Sequence, residues 1–255
     1  GLIQDRKEYP MIQSKGIAAS SGSAMLIAQR ACPYWPQDER GEKYPDRGMF
    51  LSEHRRCLDD IISFCNRLAY GGRLVPMRGS DIKPGALPPL SCMHVEGKSV
   101  RVGSSRKNEK EALAVLEWLL LNSEFIKQKY GDGGKPLKDL VAVLTPFTAQ
   151  KKFYARTVHS SEKYEPLRGL TFGTIHALQG AEREVVVFSP VYTRDDGDPG
   201  EFFFNTDIRM LNVAVSRARE AFVVIGDMEV FKKSGGPAGL LAEYIFASDS
   251  NLASV

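Results

Sequence analysis

Two arginines and three short polar groups carry the chemistry this chain could do. Arg55 precedes a helical pattern, and Arg217 lies on the flank of another near its end. A planar guanidinium there offers paired donors that match phosphate or carboxylate oxygens. Gln179-Gly180-x-Glu182 follows a β-rich run, Thr145-Pro146-Phe147 ends an unbroken apolar run, and Thr174 and His176 flank a strand-to-loop transition. On a parallel sheet, the residues just beyond a strand are those that meet ligands. Phe147 is suited either to stacking on a base or to packing under its own loop, and Lys151 and Lys152 add charge or face solvent. Cys32, Cys57, Cys65 and Cys92 show neither C-x-x-C spacing nor a companion histidine cluster. They read as reduced thiols packed as small hydrophobes, not as zinc ligands.

The elements that must position these residues follow from hydrophobic pattern. LVAVL (140–144), GLTFGTI (169–175), VVVFS (185–189) and FVVIG (222–226) are apolar or β-rich runs of the kind found in strands covered on both faces. FTAQKKFYARTVH and DIRMLNVAVSRARE lie between them with helical spacing, the second with Leu211, Ala214, Val215 and Ala218 as its core stripe. The alternation predicts an α/β fold, an open parallel sheet with right-handed crossovers.

Upstream, LDDIISFCNRLAY and NEKEALAVLEWLLLN read as helices, with strands around Cys92–Val95 and Ser99–Val102. Residues 1–48 form a loop-rich connection with a small-residue helix from Ser20, and residues 49–255 the folded domain. The acidic stretch 194–201 reads as a solvated loop.

The 255 residues, 43% hydrophobic and 25% charged, exclude disorder, collagen and coiled coil as global descriptions. A net charge of +3 is far from a histone-like excess, so any contact with nucleic acid must be locally arranged. No apolar run is long enough for a membrane span, and no signal peptide is present. An opening at GLIQDRKEYP without an initiator Met suggests an excerpt of a longer protein.

Four segments, in order, resemble the second-half motifs of superfamily 1 DNA and RNA helicases, in the 5′-to-3′ group that includes RNA-surveillance and replication-type enzymes. LSEHRRCLDDIISFCNRLAYGGRL (51–74) resembles the L-x-x-Q-Y-R-M segment and the helix after it, with Glu53 and His54 in place of Gln-Tyr and Arg55 at the family's arginine. VLTPFTAQ (143–150) resembles V-I-T-P-Y-x-x-Q, and TFGTIHALQGAEREVVVFS (171–189) resembles T-V-x-x-x-Q-G-x-E-x-x-V-V-x-x-S. LNVAVSRAREAFVVIGD (211–227) resembles L-N-V-A-x-T-R-A-x with its following strand, and SSRKNEKEA (104–112) the S-x-x-N-x-x-E-A helix start.

The resemblance implies a RecA-like domain of P-loop-NTPase type that lacks its own P-loop, since G-x-x-x-x-G-K-[ST] and a strand-borne Asp-Glu pair are both absent from the sequence. Such a chain is the second half of a two-domain motor. Arg55 and Arg217 would act on the γ-phosphate of ATP, with Gly180 and Glu182, beside Gln179, holding phosphates and ribose. Thr145, Pro146, Phe147, Thr174 and His176 would grip single-stranded DNA or RNA, and His54 would stack on adenine or on nothing. The Mg2+ ligands are expected on the N-terminal RecA-like domain of the same polypeptide. A competing reading is a non-catalytic interaction module derived from a helicase half. A dehydrogenase is excluded by the lack of G-x-G-x-x-G after a strand. Location is expected to be cytoplasmic, nucleoid-associated in a bacterium or nuclear in a eukaryote.

Overall fold

The structure, a computed structural model, describes residues 9–14, 24–37, 47–178 and 180–247. It divides into two compact units, Gly1–Ser52 and Glu53–Val255. The first carries α1 (Tyr9–Ser14) and α2 (Ala24–Ala31), with the Arg47 guanidinium over the Trp35 ring at 4.6 Å. Of the helix expected from Ser20, residues 20–23 lie outside the described residues.

The second unit starts with β1 (Glu53–His54), which pairs in parallel with β2 (Val75–Pro76) around α3 (Asp59–Ala69). Next come β3 (Leu90–His94), the antiparallel hairpin β4 (Val100–Val102) and β5 (Ser105–Lys107), and α4 (Glu109–Tyr130). Then follow α5 (Leu137–Leu140), β6 (Val141–Thr145), α6 (Thr148–Ser160), β7 (Thr171–Thr174) and β8 (Arg183–Phe188). The unit continues with α7 (Phe203–Thr206), α8 (Ile208–Val215), β9 (Ala218–Gly226), α9 (Met228–Lys233) and α10 (Gly236–Ala247).

Five strands form one sheet in the order β3-β9-β8-β6-β7, every neighbouring pair parallel. The expected α/β parallel architecture is therefore present. The unbroken apolar runs have a direct cause. In β6, Ala142 and Leu144 face a core shared with α3, α8 and α10, while Val141 and Val143 face a second core shared with α4 and α6. In β9, Phe222 and Val224 divide from Val223 and Ile225 in the same way. Burying each of the larger side chains stabilises the fold by about 1.5–3 kcal/mol, so apolar residues are favoured on both faces of these central segments.

Three sequence expectations change. The stripe through Ala218 ends earlier: α8 stops at Val215, the Ser216 N–H bonds to the Asn212 carbonyl, and Ala218 opens β9 opposite Arg183. Ala218 is buried as sheet, not as helix. The α4 pattern runs on to Tyr130 because EFIKQKY continues it until Gly131. In the acidic stretch, Asp196 accepts from the Thr193 N–H and hydroxyl and pairs with Arg106, and neighbouring Arg194 pairs with Asp227 at 3.1 Å. Two charges read as solvated thus tie the loop down.

Two polar ties fasten the sheet's ends. Arg78 donates to the carbonyls of Arg56 and Arg219, both at 2.6 Å, and pairs with the largely buried Glu220. With the Leu58 N–H on the Arg219 carbonyl at 3.0 Å, this pins the segment before α3 to the start of β9. At the opposite end, Glu111 of α4 is fully buried and accepts from the Ser189 hydroxyl and the Val191 N–H. Gln150 of α6 joins that network through Ser189 and through both backbone groups of Asn108, whose side chain caps α4.

Removing one partner of a buried pair leaves the other uncompensated, so Arg78→Ala should lower unfolding free energy by about 3–5 kcal/mol in urea titration. Burial pushes the Glu111 carboxyl up to about 8 from an unperturbed 4.5. The native state therefore holds a proton that the unfolded chain has released. Its contribution is complete below pH 4.5 and is lost as pH rises through about 8. Stability should fall over that window, and Glu111→Gln, which cannot ionise, should flatten the fall; denaturant midpoints across pH measure it.

Candidate functional site

Strand direction sorts the candidate residues into two groups. Thr145 and Thr174 end β6 and β7 and are register partners, so they stand side by side at the carboxyl edge. After Thr174 the chain makes a 3-10 turn, Ile175–Leu178, and returns to enter β8 at Arg183. Glu182 and Gly180 are thereby carried to the amino edge, not to the carboxyl edge that the strand-then-turn order predicted. Arg217 reaches the same edge because it immediately precedes β9, its carbonyl accepting the Arg183 N–H at 3.0 Å.

At the amino edge, Arg217 is half-buried and its guanidinium meets neutral acceptors: the Val213 carbonyl at 3.2 Å, the Ala181 carbonyl at 3.4 Å and the Ser216 hydroxyl at 3.2 Å. Burial, with Arg56 alongside, holds its pKa below the ordinary arginine value. Glu182 pairs with Arg56 Nε at 2.5 Å and lies 3.6 Å from Arg219 Nη1. Gly180 is exposed with φ +87°, a backbone state that side chains with a Cβ rarely adopt. Gln179 lies outside the described residues.

Arg55 is placed differently. It is exposed and bonds Glu53 Oε2 through Nη2 at 2.7 Å and Nε at 3.2 Å, while the next residue, Arg56, is the one that reaches Glu182. Sequence reasoning missed Arg56, Arg78 and Arg219; their adjacency to matched motifs was the available signal. His54 accepts the Cys57 N–H at 3.1 Å, and burial together with Arg56 lowers its pKa, so its ring is a neutral acceptor that closes the turn before α3. Burial pushes the Cys57 thiol up to about 12 and that of Cys92 to about 11, which leaves both as protonated, unreactive packing groups.

At the carboxyl edge, Thr145 is buried and its Oγ1 accepts the Phe147 N–H at 3.4 Å, tightening the Thr145-Pro146-Phe147 bend into α6. The Phe147 ring meets Tyr192 edge-on at 5.1 Å. Pro146, Phe147 and Tyr192 line a groove of about 880 Å³ that Lys107, Lys152 and Arg156 also border. Phe147 thus packs and faces open space at once. Lys152 borders this groove; Lys151 is exposed outside its lining. His176 falls within the 3-10 turn, and its side chain lies outside the described residues.

The two edges differ in chemistry. The amino edge gathers Arg56 and Arg219 about Glu182 and Glu184, with Arg217 beside Arg56 and the left-handed Gly180 two residues before Glu182, an arrangement that can receive a polyanion with hydroxyl groups. The carboxyl edge offers hydroxyls, an aromatic ring and surrounding positive charge, which suits phosphodiester and base contacts. Among the described residues no three His, Cys, Asp or Glu side chains converge as a metal site requires, and no helix is long and apolar enough to cross a membrane.

A family model described as an AAA domain matches residues 38–229. The chain is 25% identical over 211 residues to an uncharacterized ATP-dependent helicase of Methanocaldococcus jannaschii, covering 75% of this chain and 28% of that protein. It is 26% identical over 239 residues to a 5'-3' DNA helicase of Mus musculus, covering 91% and 12% respectively. Over 95 residues, 37% of this chain and 13% of the relative, it is 30% identical to the DNA polymerase alpha-associated DNA helicase A of Saccharomyces cerevisiae. The chain therefore spans only a minor part of these relatives. A solved structure, the C-terminal domain of a possible DNA helicase from Lactobacillus plantarum, aligns over 76% of this chain and 95% of that one, with 14% identity and a TM-score of 0.41. With the family match running from the first unit through to β9 and α9, this chain belongs to the AAA domain family, which is found in superfamily 1 helicases.

Proposed function

We propose that this domain is the arginine-giving half of an ATP-driven motor that moves on single-stranded nucleic acid. One observation carries the reading: Arg217 is half-buried and its guanidinium bonds three neutral oxygens, while the nearby Glu182 is engaged by Arg56, so Arg217 makes no ion pair of its own among the described residues. A site of that kind is completed by an anion presented across a domain interface.

In this reading Arg217 meets the γ-phosphate and steadies the charge that develops as the phosphoryl group leaves. Arg55, whose hydrogen bonds among the described residues go to the exposed Glu53, turns into the same cleft when the partner domain closes on it. Gly180, with Gln179, lets backbone approach the phosphates, and Glu182 accepts from ribose hydroxyls. A carboxylate has about four lone-pair sites, so Glu182 can keep its arginines while doing so. Mg2+ bound with ATP would be held by residues of the N-terminal RecA-like domain of the parent polypeptide and would supply charge neutralisation on the phosphates.

At the carboxyl edge, Thr174 and the backbone around Pro146 and His176 hold phosphates of the strand, the buried Thr145 shapes that bend from beneath, and Phe147 presents its open face to a base. Contacts of this type are independent of sequence and weaken with salt. Closing and reopening the cleft shifts this grip relative to the other domain.

Two outcomes follow. The isolated chain should show no magnesium-dependent ATP turnover above background; appreciable phosphate release by the pure chain overturns the half-motor reading. In the full-length parent, Arg217→Ala should abolish strand-stimulated turnover, a loss of about 10³-fold or more as for other charge-stabilising arginines, with strand binding nearly intact. Normal turnover in that variant would favour a non-catalytic interaction module instead.

A further inference from the structure

We infer that Glu111 is a positioning residue for the nucleic-acid surface: its buried side chain holds Val191 in a left-handed backbone conformation and so sets Tyr192 as the wall behind Phe147. The inference rests on the carboxyl edge being that surface. Glu111 belongs to no strand end and touches no groove, and the motor reading gives it no task.

Val191 has φ +73°, the one positive value at a non-glycine residue among the described residues. For a β-branched side chain this is a strained state that persists only where its surroundings over-determine it. The surroundings here are specific. The Val191 N–H donates to both oxygens of Glu111, at 3.0 and 3.2 Å, and its carbonyl accepts from Asn108 Nδ2 at 3.4 Å. The side chain is fully buried. Gly226 at the end of β9 leaves room for this arrangement: a Cβ there would lie 2.6 Å from Pro190 and 3.0 Å from Glu111 Oε2.

The consequence falls on the next residue. Tyr192 stacks flat on Phe202 with centroids 3.9 Å apart and meets Phe147 edge-on at 5.1 Å. Arg106 of the hairpin lies over its ring at 5.1 Å. A change in the Val191 backbone would swing the Tyr192 ring away from all three. Gln150 couples the same network to α6, the helix that starts beside Phe147. One buried acceptor thus fixes the groove from two sides.

The role needs an acceptor for the Val191 N–H, not a charge. Binding of a fluorescein-labelled oligothymidylate, followed by anisotropy, separates the variants. Glu111→Gln keeps an acceptor oxygen and should bind within about twofold of the parent, whereas Glu111→Leu orphans the donor and should bind about tenfold more weakly. Val191→Gly adopts the same φ without strain, so in that background the Glu111→Leu loss should shrink to about twofold, a coupling that a general loss of packing would not produce. Trp118 emission during melting reports whether each variant is folded. If Glu111→Leu fails to fold, Tyr192→Ala supplies the test and should lose about tenfold. Parental affinity in folded Glu111→Leu, or in Tyr192→Ala, overturns this inference alone. An oligonucleotide that the unsubstituted chain does not bind overturns the nucleic-acid reading and this inference with it.

Discussion

All five strands of the sheet run the same way, and both of its faces are buried. That constraint governs everything else in the domain. A sheet covered by α3, α8 and α10 on one side and α4 and α6 on the other has no face left for chemistry, so every reactive or binding group is confined to one of two edges. Each segment's edge is then decided by whether it leaves a strand or enters one. Thr145 and Thr174 leave strands; Glu182 and Arg217 enter them. Residues 174 and 182 are close in sequence and part of one matched motif, yet the return of the chain through the turn at Ile175–Leu178 puts them at opposite ends.

Confinement to edges creates a second requirement, because strand ends expose backbone groups that need partners. The two polar ties answer it. Arg78 spends its guanidinium on the carbonyls of Arg56 and Arg219 at the amino edge, and Glu111 accepts Val191 and Ser189 at the carboxyl edge. Arg78 is partly and Glu111 fully buried, in a medium where an unmet donor costs about 1–3 kcal/mol, and each is met by more than one partner. Such groups order loops that apolar packing alone would leave in several arrangements.

The fold was largely legible in the residues because β6, β8 and β9 carry short unbroken apolar runs that alternate with helical patterns, as a doubly covered parallel sheet requires. Boundaries were less so. Ala218 fits a helical stripe and a buried strand equally, and only its pairing with Arg183 decides between them. At the edges, Thr145 and Thr174 were legible as strand ends because their apolar or β-rich runs stop there. The pairings of Arg56, Arg78 and Tyr192 were not legible, because their partners lie 126, 142 and 45 positions away at Glu182, Glu220 and Phe147. Such contacts are created by topology and leave no local trace.

The modest net charge of +3 acquires a physical meaning from this arrangement. A domain that held phosphates by bulk attraction would need a broad basic face. Here positive charge is concentrated by burial: Arg217 sits where neutral carbonyls, not carboxylates, surround it, and Arg56 shares its carboxylate with Arg219. In a partly desolvated pocket the interaction of a guanidinium with an anion is screened less than at an open surface, so on the proposed reading two such arginines would do the work of many exposed lysines. Charge so placed is incomplete by design of the fold, because the same burial that strengthens it makes leaving it unanswered costly. A surface of that kind gains most by closing against another domain that brings the anion with it.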